Sequence, residues 1–62
     1  MYKFFCLMAE LYNDGTVKAA IKTKKSRGLP KDSFRHGSYM DAFNIWYVSE
    51  IEAENALQEV RA

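Results

Sequence analysis

The sequence predicts an α+β fold: a three-stranded, mainly antiparallel sheet with one C-terminal helix packed on one face, ordered β-β-long loop-β-α in a single domain over residues 1–62. Three observations predict it. The run from Tyr2 to Tyr12 is apolar on both faces when read as a strand. An Asp14-Gly15 pair separates it from a second, alternating run, which is a hairpin signature. Near the C terminus, Ser49 and Glu52 form a capping box just ahead of apolar residues at helical spacing.

The first strand sets the problem that the rest of the chain must solve. Side chains alternate across a strand, so Phe5, Leu7, Ala9 and Leu11 share one face, and Tyr2, Phe4, Cys6 and Met8 the other. Both sets are apolar, yet one helix lids only one of them. The second face, joined by Trp46 from the third strand, is expected to be an interface of Tyr2, Phe4, Cys6, Met8 and Trp46 buried by another copy of the chain. The monomeric alternative folds the long loop over that face through Phe34 and Tyr39.

Register follows from parity. A three-residue loop, Asn13 to Gly15, with Gly15 in a left-handed bulge position, pairs Tyr12 with Thr16. Leu11 then opposes Val17, Ala9 opposes Ala19, Leu7 opposes Ile21 and Phe5 opposes Thr23, so apolar side chains face each other along the inner face. On the outer face Glu10 falls across from Lys18, a favourable charge pair. A two-residue loop sets Leu11 against Lys18 and breaks that agreement. The second strand, Thr16 to Lys25, presents Lys18, Lys22 and Lys24 on one side, which suits a solvated edge strand and the strand order 2-1-3 over a 1-2-3 meander.

Residues 26 to 41 read as a long connection punctuated by Gly28, Pro30 and Gly37. The third strand is expected over Ala42 to Val48, with Phe43, Ile45 and Tyr47 on one face and Asn44, Trp46 and Val48 on the other. It runs into a helix capped by Ser49, with Glu50 and Glu52 at the positive helix start and Arg61 near its end. Ala53, Ala56, Leu57 and Val60 form one thin apolar stripe, with Ile51 flanking it.

Composition narrows the function. A 62-residue chain with 48% hydrophobic residues and nine aromatics folds, but near the size where burial only just offsets chain entropy. Small domains lean on disulfides, metals or oligomerisation. Cys6 is the only cysteine and no Cys/His cluster can hold zinc, so oligomerisation remains. The opening run is too short and too polar to span a membrane or serve as a signal core, and a cytoplasmic protein without cofactor or membrane association is expected. Opening on Met1, the chain is expected to be a complete small reading frame.

The net charge of +1 hides an asymmetry. Residues 1 to 38 carry eight basic against three acidic side chains, and residues 39 to 62 carry one against five. Cys6 and His36 are the only thiol and the only imidazole, and Cys6 sits mid-strand among apolar residues, where a cysteine packs rather than reacts. No phosphate-loop, zinc-protease or dinucleotide motif occurs. The expectation is a non-enzymatic interaction protein, a homodimer that acts as regulator, adaptor or inhibitor by binding a larger protein. The alternative is a nucleic-acid-binding module that uses the lysine and aromatic sheet face with Lys22, Lys24, Lys25, Arg27, Lys31 and Arg35.

Overall fold

The computed structural model describes residues 1–61, and the element order is β1 (Tyr2–Tyr12), β2 (Val17–Ser26), β3 (Ser33–His36), β4 (Met40–Tyr47) and α1 (Glu50–Arg61). The sheet has four strands where the sequence predicts three, in the order β2-β1-β4-β3 with every neighbouring pair antiparallel. The added strand β3 lies inside the segment read as a loop. It holds four residues, all exposed, with a single large apolar side chain, so it carries no alternation of its own. It forms because β4 offers a row of unpaired backbone groups and the turn at Gly37 brings the chain back alongside. The strand expected at Ala42 to Val48 starts two residues earlier and ends at Tyr47.

The first hairpin has the register that parity demands. Leu11 pairs with Val17, Ala9 with Ala19, Leu7 with Ile21 and Phe5 with Thr23. Tyr12 N–H donates to the Thr16 carbonyl at 2.9 Å and Gly15 N–H donates to the Tyr12 carbonyl at 3.0 Å, closing a three-residue loop. Gly15 has φ +92°, which glycine adopts without a Cβ penalty. The Asp14 carboxylate accepts the Thr16 N–H at 2.8 Å and holds the turn from inside.

The second turn is tied to the first. Asn13 N–H donates to the Tyr39 carbonyl at 3.0 Å, and Asn13 Nδ2 donates to the Ser38 carbonyl at 2.9 Å. Gly37 N–H donates to the Met40 carbonyl at 2.8 Å, and a Cβ at Gly37 would stand 2.9 Å from that same oxygen. A side chain there has no room unless the turn opens.

Pairing sorts the side chains into two faces. Phe5, Leu7, Ala9 and Leu11 of β1 lie with Ile21, Ala19, Ile45 and Phe43. On this face Leu7 and Ala9 are almost wholly buried, and α1 lies over β1 and β2, touches β4 less and does not reach β3. Ala53 is fully buried and Ala56, Leu57 and Val60 are half-buried, so the stripe docks as its spacing predicts. Ile51, read as flanking the stripe, is 71% exposed instead. Ser49 Oγ accepts the Glu52 N–H at 3.2 Å, which is the N-cap bond. Arg61 reaches the Ala19 carbonyl at 3.2 Å and fastens the helix end to β2.

The opposite face is covered by no second helix or sheet among the described elements. Even so, Phe4 is 6% and Cys6 2% exposed within a single chain. Their cross-strand neighbours are Lys24 and Lys22 on β2, and Trp46 stands opposite Cys6 on β4. Lysine stems and a large aromatic shield apolar neighbours while the charged ends stay wet. Neither Phe34 nor Tyr39 serves as the lid of the monomeric alternative: they are 67% and 82% exposed.

Candidate binding face

The sheet face away from α1 is built row by row from the register. One row crosses all four strands as Lys18, Glu10, Ala42 and Arg35, and the next as Ala20, Met8, Asn44 and Ser33. A third carries Lys22, Cys6 and Trp46. The small side chains of Ala20 and Ala42 leave the centre recessed between longer neighbours. The result is an open groove of about 420 Å³ over Met8, Ala20 and Ala42, with Glu10, Lys18, Arg35 and Asn44 around it.

Two cations, Lys18 and Arg35, border the groove, and Lys22 and Lys24 stand farther along β2 on the same face. Lys18, Lys22 and Lys24 occupy alternate positions of β2 and are all exposed, and Arg35 faces them from β3 on the far edge. The ion pair expected between Glu10 and Lys18 does not close, although the two are cross-strand partners. The Lys18 ammonium sits 5.4 Å from the centre of the Tyr12 ring, a cation–π distance, and the Tyr12 hydroxyl donates to Glu10 Oε1 at 3.4 Å. Among the described residues no Lys or Arg closes onto a carboxylate; His36 Nδ1 meets Asp41 Oδ1 at 2.5 Å on the other face of the β3–β4 hairpin. None of the four cations of the groove face closes an ion pair, and with Glu10 as the carboxylate of that face the balance there stays positive. On the opposite side of the molecule Glu50, Glu52, Glu54 and Glu59 of α1 are exposed. Charge that is nearly balanced in sum is separated in space.

The residues singled out by the sequence fall into three groups. Lys22, Lys24 and Arg35 share the groove face with Lys18, the lysines along one edge and Arg35 on the other. Lys25 pairs with Lys3 and so belongs to the helix side, while Arg27 and Lys31 lie in the segment between β2 and β3, exposed. Of the expected interface, Tyr2 is 69% exposed and Met8 and Trp46 are half-buried, whereas Phe4 and Cys6 are already interior. The sequence already set Asn44 on the face of Trp46, and the β1–β4 register puts Ala42 there too; what sequence reasoning missed is the place of Arg35, which depends on β3. The side-chain amide of Asn44 donates to Ser33 Oγ at 3.0 Å, a contact that exists only in the four-stranded sheet.

Cys6 and His36 lie on opposite faces of the sheet and make no pair. Burial pushes the Cys6 thiol up from its ordinary value; the Lys22 charge opposes that shift and the Asp32 charge adds to it. Asp32 itself accepts the Trp46 N–H at 2.8 Å, extending the β4 edge where β3 has ended. No three His, Cys, Asp or Glu side chains converge among the described residues, and none of their helices is long and apolar enough to cross a membrane.

A second open surface lies on the helix side. Because α1 stops short of β3, Phe34, Phe43 and Ile45 border an apolar groove of about 440 Å³ beside Asp32 and Ser33. The fold and these two surfaces define a small antiparallel α+β domain with one basic and one apolar exposed groove. No family model, curated protein or solved structure matches the chain.

Proposed function

We propose that this chain is a small non-enzymatic interaction module that binds an anionic macromolecule on the sheet face opposite its helix. The observation that carries the reading is the set Lys18, Lys22, Lys24 and Arg35, exposed on one face without a carboxylate partner, with the acidic side chains of α1 on the other side. Such a field steers an anion to one face and repels it from the other. The recessed floor of Met8, Ala20 and Ala42 gives the partner a surface to fill. The test is binding to heparin, oligonucleotides and polyglutamate at low salt, compared with the triple variant Lys18→Gln, Lys22→Gln, Lys24→Gln. The wild-type chain is expected to bind at least one of them with an affinity that falls steeply with salt, and the variant to lose most of it. Indifference of the wild type to all of these polyanions would reject the reading.

A second reading, self-association or docking on a larger protein, rests on a different observation. Phe34 is two-thirds exposed beside half-buried Phe43 and Ile45, an apolar patch at the sheet edge. It moves the expected dimer contact from the Phe4 and Cys6 face, which one chain already buries, to the helix side. Sedimentation of the wild type against Phe34→Ser tests it: a concentration-dependent dimer lost in the variant supports it, and a monomeric wild type at high concentration refutes it.

A further inference from the structure

Resting on the anionic-partner reading of the same groove, we infer that the ligand is single-stranded nucleic acid, with bases over the recessed centre and phosphates on the β2 lysines.

The groove is not uniformly basic, and that is what points to a base. Glu10 lies half-buried on its floor, between Lys18 and Ala42, with no cation closed onto it. A carboxylate in that place repels the carboxylates of an acidic peptide. It accepts well from the exocyclic amino group of a nucleobase. Asn44, also half-buried, spends one N–H on Ser33 Oγ. Its carbonyl and second N–H are left to meet the mixed donor and acceptor edge of a base. Together the two offer hydrogen bonds that a purely phosphate-binding surface does not need.

Geometry agrees. Lys18, Lys22 and Lys24 stand on one side of β2, with Lys22 and Lys24 spaced by about 7 Å and Lys18 by about 14 Å from Lys22 along the strand. Arg35 lies three strands away, about 14 Å across the sheet. A backbone can follow the lysine edge while its bases point inward across Ala20, Met8 and Ala42. Aromatic rings mark both ends of this track, Tyr12 in the row of Met40 and Trp46 in the row of Cys6, with exposed Tyr2 beyond. Stacking on such rings is indifferent to base identity and is how sheets and grooves hold single strands. The one helix is not suited to a duplex groove, since it presents Glu50, Glu52, Glu54 and Glu59.

The experiment measures fluorescence anisotropy of a short mixed-sequence single strand, the same sequence as a duplex, an abasic strand of equal length, and labelled polyglutamate, across a salt series. The single strand is expected to bind at least roughly tenfold more tightly than the duplex or the abasic strand. Its log–log salt slope should approach about −2, for three phosphates met by Lys18, Lys22 and Lys24. Ala20→Glu, at an exposed strand position that tolerates a polar side chain, should weaken the single strand at least tenfold with an unchanged circular dichroism spectrum. Equal binding of the abasic strand or the duplex would overturn the inference while leaving an anion-binding face. Polyglutamate bound in preference to the single strand would overturn it in the same way. Absence of binding by every probe would take down the anionic-partner reading itself.

Discussion

Gly15 and Gly28 form a natural control pair for the hairpin. A Cβ built on either glycine has no heavy atom within 4 Å, so crowding contributes nothing at either site. They differ in backbone: Gly15 has φ +92° and Gly28 has no positive φ. Gly15→Ala therefore isolates the conformational penalty of an L residue in the left-handed region, about 1–2 kcal/mol. Gly15→Val should cost more, since a β-branched side chain suffers most there. Gly28→Ala should be neutral or stabilise by up to about 1 kcal/mol, because it only restricts the unfolded chain. For a domain of this size each kcal/mol moves the melting temperature by about 4–8 °C, so Gly15→Ala should melt about 4–16 °C below the wild type. D-alanine at position 15, introduced by chemical synthesis, should reverse the sign and raise Tm. Thermal and urea melts followed by circular dichroism measure all four. If Gly15→Ala and Gly28→Ala melt together, the bulged loop, and with it the register argument, is wrong.

Other perturbations test separate links. Ser49→Ala removes the acceptor for the Glu52 N–H and should lower stability by about 0.5–2 kcal/mol in urea melts; an unchanged midpoint would mean the helix start is held by something else. The Thr16 N–H bonded to Asp14 holds that carboxyl below its ordinary pKa. Its contribution is complete above the unfolded carboxylate value, about 3.9, and is lost as pH falls through the lower folded value, so Asp14→Asn should flatten the acid limb of Tm against pH. Cys6, buried and with its thiol pKa raised, should react with a thiol reagent only as fast as the chain opens; labelling that outruns unfolding would place it at the surface. Gly37→Ala should destabilise the β3–β4 turn through the 2.9 Å clash with the Met40 carbonyl, seen as faster amide exchange in β3.

Local chemistry and parity were enough for much of the fold. Asp14-Gly15 marked the turn, and the need to match Leu7 with Ile21 and Ala9 with Ala19 then chose a three-residue loop and a single register, since a one-residue slip would turn the apolar side chains of β2 to the lysine side. The lysines of β2 marked it as an edge, and Ser49 with Glu52 marked where the helix begins. These signals sit in neighbouring residues or in two adjacent strands, so sequence order alone carries them.

What only the tertiary structure decided are the features that depend on distant partners. Ser33 to His36 has one large apolar residue and no buried one; its strand exists because β4 has a free edge, and nothing within those four residues announces it. With β3 come Arg35 and the Asn44–Ser33 bond, and so the far wall of the groove. The two apolar faces of β1 were legible, but the answer to the second was not. Phe4 and Cys6 are buried within one chain, although their cross-strand neighbours on that face are Lys24, Lys22 and Trp46 rather than a second layer. The helix stripe was legible too, while its seat over β1 and β2, which leaves Phe34 open, was not. Periodicity tells which side of an element is apolar; which neighbour covers it is settled only when all the elements compete for the same surface.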